Sequence, residues 1–124
     1  MNLRDIKLSE NGKTLVYISH PSGGKECNTL KIQEIVETLV HNDYFFNNFT
    51  YVSPVHNFGF MYHTLDYDTG LGLCLDLLDK ADVMLVFGDY TTSVGCTREI
   101  EHCKQNNIPY VIVGDIDSLK EFIG

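Results

Sequence analysis

The chain has 124 residues, 44% of them apolar and 21% charged, with a formal charge of −8 at pH 7. That length builds one domain with a core, not two of ordinary size, and the composition is globular rather than disordered or fibrous. The acidic balance excludes a general nucleic-acid or anionic-membrane surface, which needs clustered Lys and Arg.

The chain opens with no basic segment followed by an apolar one, and no apolar stretch approaches the length of a membrane span. The expectation is a soluble, cytoplasmic protein with no membrane partner and no nucleic-acid polymer as partner. Cys27, Cys74, Cys96 and Cys103 form no CxxC pair and show no zinc spacing, so they are expected as reduced, buried, small apolar side chains. His56 and His63 stand near Asp66 and Asp68, again without a recognised ligand spacing; no metal and no organic cofactor is expected.

Lys13 to Ser19 (KTLVYIS), bounded by Asn11-Gly12 and by HPSGG, predicts the first strand. From Asn28, read as an N-cap, the apolar residues Ile32, Ile35, Val36, Leu39 and Val40 recur at helical spacing until HND. Residues 49–54 (FTYVSP) predict a second strand ended by proline, and 55–68 an aromatic, histidine-containing loop long enough to have a function. Leu71, Cys74, Leu75, Leu78 and Ala81 line one face of a second long helix, and Leu73 and Leu77 another, which suggests a second subunit or a buried helix. DVMLVFG at 82–88 is apolar almost throughout, as in a parallel strand covered on both faces. A helix from Ser93 to Asn106, a strand at 109–113 and a helix at 116–122 complete the order.

This alternation predicts a three-layer, doubly wound α/β fold of flavodoxin- or Rossmann-like type, with a parallel sheet of four to five strands in the order 2-1-3-4. Winding then reverses between strands one and three, and the crevice at their carboxyl ends is the expected ligand site. Two loops meet there. The first supplies Ser19, Pro21, Ser22, Gly23 and Gly24 with Asn28 just beyond; the second supplies Gly88, Ser93 and Gly95. Hydroxyls, backbone N–H groups and a helix start suit a phosphate or sugar oxygen, although a Pro-Ser-Gly-Gly stretch also serves as a plain turn. On the helix after the second loop, Cys96, Ile100 and Cys103 form the apolar stripe and Glu99 lies at its margin, whereas Glu101 points away. Glu99 is a candidate base or nucleophile, and its other reading is an ordinary contact with the helix dipole.

VYISHPSGG with Asn28, GLGLCLDLLDKADVMLVFGDYTTSVGCTREIEHC and IPYVIV together resemble the nucleoside 2-deoxyribosyltransferase-like superfamily, including its 2′-deoxynucleoside 5′-monophosphate N-glycosidases, over roughly two thirds of the domain. The resemblance implies that Glu99 of the Ser93-x-Gly95-x-x-x-Glu99 stretch attacks C1′ of a deoxyribosyl group and expels the base, with retention after a second displacement. It implies that Tyr17 orients Glu99, a core tyrosine being the other reading, and that Ser93, where free-nucleoside enzymes carry aspartate, accommodates a 5′-phosphate as well as capping its helix. A second acid does not align cleanly. Asp76 is nearest, the family offset falls nearer Cys74, and Asp66 or Asp68 is a substitute; the first loop lacks the arginine of the monophosphate glycosidases, and either Lys25 or nothing replaces it.

Phe58, Phe60, Tyr62 and His63 are expected to stack on the base or to cover the core or a neighbouring subunit. The implied activity is N-glycosidic cleavage or 2-deoxyribosyl transfer on a nucleoside 5′-monophosphate, the partner being a nucleotide-type small molecule, and a homo-oligomer is expected. The alternatives are a nucleotide-binding protein of the same fold without turnover and a hydrolase of NAD-like ribosides.

Overall fold

A computed structural model describes residues 2–21, 25–61 and 63–124. Four parallel strands, β1 (Thr14–Ser19), β2 (Phe49–Val52), β3 (Val83–Phe87) and β4 (Tyr110–Gly114), form one sheet in the order β2-β1-β3-β4. The helices are α1 (Glu26–Val40), α2 (Asp43–Asn48), α3 (Pro54–Phe58), α4 (Tyr67–Leu78), α5 (Val94–Asn106) and α6 (Ile116–Phe122). The expected α/β class, parallel pairing and strand order are all present, with four strands. Among the described residues no helix is long and apolar enough to cross a membrane.

The strands read as apolar runs because helices cover both faces, and the two-residue pleat sorts their side chains. Val16 and Ile18 of β1, with Val83, Leu85 and Phe87 of β3, face the core beneath α1, α2 and α6, where Ile32, Leu39, Phe45 and Leu119 are buried. Tyr17 of β1 and Met84 and Val86 of β3 face the opposite core, with Leu78 of α4 and Ile100 and Cys103 of α5. Tyr17 and Ser19 are two apart and therefore share the α4 and α5 face. The register Ser19↔Val86 brings the carboxyl ends of β1 and β3 level.

Several boundaries differ from the sequence expectations. Asn28 is not an N-cap: α1 starts at Glu26 after Lys25, and the Asn28 and Thr29 N–H groups already donate to the Lys25 carbonyl. Residues 43–48 form a helix capped by Asn42, whose side chain accepts from the Tyr44 and Phe45 N–H groups. Pro54 starts a helix rather than merely ending a strand, since its missing N–H is no loss in a first turn. The segment expected as a loop therefore holds α3 and a 3₁₀ turn at Gly59–Met61. On α4, Leu77 packs within this chain against the core on the α4 and α5 side.

Candidate active site

Glu99 enters α5 in its second turn, on the stripe shared with Cys96 and Cys103. Its side chain is only 5% exposed, and a carboxylate so buried requires partners. The sheet supplies them. Ser19 Oγ donates to Glu99 Oε1 at 2.8 Å, and the Tyr17 hydroxyl donates to Oε2. Both donors are themselves fully buried on β1. Cys96 Sγ lies 3.5 Å from Ser19 Oγ, so the thiol packs against the hydroxyl that holds the carboxylate.

Burial pushes the Glu99 carboxyl above its ordinary range, and the hydrogen bonds from Tyr17 and Ser19 oppose part of that rise. Burial, followed by the nearby Glu99 charge, drives Tyr17 well above the usual phenol value. The Cys74 thiol is pushed up to about 11 by burial and then by Glu99, and burial likewise raises Cys96. Two neutral hydroxyls thus grip one titrating carboxylate, each of whose oxygens keeps a lone pair.

A cavity of about 600 Å³ opens beside Glu99, where the loops after β1 and β3 meet the start of α4. Pro21, Asn28, Ser93, Gly95 and Glu99 line it. Tyr17 and Ser19 stand behind Glu99, outside the lining. Ser93 is the N-cap of α5, its Oγ accepting the Cys96 N–H at 3.2 Å. A Cβ at Gly95 would meet the Tyr67 hydroxyl and Ser93 Oγ at 3.6 and 3.8 Å, so this glycine leaves the cavity wall open. Gly88 lies outside the lining and has another task. Its φ is +72°, and a Cβ there would come within 2.9 Å of Pro21 Cδ, so this glycine lets the two loops touch. Ser22, Gly23, Gly24 and Tyr62 lie outside the described residues.

Asp76 does not belong to this group. It is exposed and absent from the cavity wall, because two residues along α4 turn it about 200° from Cys74, which does line the cavity. Asp66 is in the wall as the N-cap of α4, its Oδ1 accepting the Thr69 N–H at 2.7 Å; hydrogen bonds from the Thr69 side chain and N–H hold its carboxyl below the usual range. Lys25 and Phe58 also line the cavity; Phe60 is 81% exposed and outside the lining.

His20 is a wall residue that sequence reasoning missed. Its Nδ1 is 2.6 Å from the Pro21 carbonyl, and burial lowers its pKa, so the neutral ring donates from Nδ1. The available signal was its place directly after Ser19 at a strand end. Among the described residues no three His, Cys, Asp or Glu side chains gather as a metal site. No protein-family model matches the chain, and no curated protein is significantly similar to it in sequence.

Proposed function

We propose that the chain breaks or transfers the N-glycosidic bond of a nucleoside 5′-monophosphate in the cytoplasm, with Glu99 as nucleophile. The observation that carries this is the buried Glu99 carboxylate, fixed by Tyr17 and Ser19 at the edge of a cavity large enough for a nucleotide. In its ionised form Glu99 attacks C1′ as the base departs, giving a glycosyl ester, and water or a second base then attacks C1′ from the opposite face and restores the carboxylate. Ser93, Asn28 and Lys25 are the wall residues suited to the sugar and its phosphate.

A panel of deoxynucleosides and their monophosphates, scored for free base with wild type and Glu99→Gln, tests this. Base release from a monophosphate by wild type alone, with a deoxyribosyl adduct on Glu99 detected by mass spectrometry, is the expected result. Release equal in the two proteins overturns it.

One observation favours binding without turnover: Asp76 faces away from the cavity, so the acid nearest to the expected place is not at the site. Nucleotide binding that survives Glu99→Ala, with no base released from any substrate, would identify that role. We also propose self-association. Phe60, Tyr67 and Val94 are exposed large apolar residues, and Tyr67 and Val94 belong to the cavity wall. A monomeric mass by sedimentation at micromolar concentration overturns this proposal.

A further inference from the structure

The wall of the Glu99 cavity bears on which base could leave. When a carboxylate attacks C1′, the electron pair of the C1′–N bond goes to the base nitrogen. A neutral purine or pyrimidine then departs as an anion unless a general acid protonates it. A base with a permanent positive charge departs as a neutral molecule and needs no proton.

Among the described wall residues, a suitable acid is absent. Cys96 is a buried thiol and Cys74 a half-buried one, and both share the cavity wall with Glu99. His20 is neutral, with its Nδ1–H committed to the Pro21 carbonyl. Asp66 is an ionised N-cap, and Asp76 faces solvent. In this reading Lys25 serves the phosphate and Tyr67 the ring of the base. The same wall suits a cation. The Asp66 carboxylate adjoins Tyr67 in sequence, Phe58 lines the same cavity, and Glu99 adds a second negative charge when ionised. Ring faces and carboxylates together attract a flat cationic ring.

We infer that the substrate is a nucleoside 5′-phosphate whose base carries a fixed positive charge, an N-linked pyridinium or a ring-alkylated purine, recognised by Asp66 with Phe58 and Tyr67. This rests on the glycosidic reading of Glu99. The C1′–Oε bond forms, the C1′–N bond breaks, and its electron pair cancels the ring charge. Water then attacks C1′, the C1′–Oε pair returns to Glu99, and the proton of the water passes to solvent.

The test measures base release from nicotinamide mononucleotide, 7-methyl-2′-deoxyguanosine 5′-monophosphate and dGMP by wild type, with the Glu99→Gln rate subtracted as background. At least one cationic substrate should exceed dGMP in kcat/KM by about tenfold or more, and which one reacts distinguishes pyridinium from alkylated purine. Asp66→Asn keeps a good N-cap and should reduce that preference by several-fold; an unchanged preference overturns the assignment of Asp66. Neutral dGMP cleaved as well as either cation overturns the substrate class and leaves the glycosidic reading standing. No Glu99-dependent release from any nucleotide, neutral ones included, overturns both.

Discussion

Ser19 Oγ and Glu99 Oε1 are joined by a 2.8 Å hydrogen bond across 80 residues of chain, from the last position of β1 to the second turn of α5. The bond favours the ionised carboxylate over the acid, and burial works against it. Ser19→Ala removes one of the two donors, so the Glu99 pKa should rise and the acid limb of the kcat/KM profile for the proposed base release should move to higher pH. Loss of a buried hydrogen bond to a charged group should also cost roughly 1–3 kcal/mol in urea unfolding. An unmoved acid limb would show that Ser19 does not tune Glu99.

Glu99 itself should make stability depend on pH in an unusual direction for a carboxylate. Its folded pKa lies above the ordinary value of 4.5, so the unfolded chain ionises first as pH rises. Its contribution is fully present below the unfolded value and is lost as pH climbs through the folded one. Glu99→Gln has no such titration. The stability of Glu99→Gln relative to wild type should therefore increase between about pH 4 and pH 7, measured by urea unfolding at each pH, and a flat difference would contradict burial of the carboxylate.

Gly88→Ala places a Cβ 2.9 Å from Pro21 Cδ at a φ of +72°. Both the clash and the left-handed backbone oppose it, and the cost should be about 1–3 kcal/mol. If the cavity takes the proposed nucleotide, its affinity should weaken as well, because the displaced Pro21 lines that cavity. Equilibrium unfolding and a binding titration check the two effects.

Leu78 is fully buried at the end of α4, whereas Leu30 on α1 is 54% exposed. Leu78→Ala should cost about 2–5 kcal/mol and Leu30→Ala no more than about 0.5 kcal/mol. Equal effects in thermal or urea unfolding would mean that the α4 face is not packed as described.

All four cysteines are free, but only Cys27 is exposed. Burial raises the thiols of Cys74, Cys96 and Cys103, with Cys74 and Cys103 at about 11, so little thiolate is present near neutral pH. Alkylation of the native protein should show one fast thiol, lost in Cys27→Ser, and three slow ones. Mass spectrometry of timed samples reads the order directly.

Periodicity in the chain was enough to place the four strands, α1, α4, α5 and α6, to name both covered faces of β3, and to mark Ser93 as the start of α5, since each of these signals lies among close neighbours in sequence. The helix at 54–58 is not legible because it opens on a proline and is too short to show a stripe. Asn28 was misplaced as a cap because local residue preference cannot tell a helix start from its first turn.

The resemblance already implied Tyr17 as a partner of Glu99, whereas the tertiary structure alone decided that Ser19 is the second. The pleat of β1 turns Tyr17 and Ser19 toward α5, the Ser19↔Val86 register brings the two strand ends level, and the rotation of α5 turns Glu99 inward to meet them. The rotation of α4 likewise brought Cys74 into the cavity and left Asp76 in solvent. These contacts join residues far apart in the chain, and their existence depends on register and helix rotation, which local periodicity does not encode.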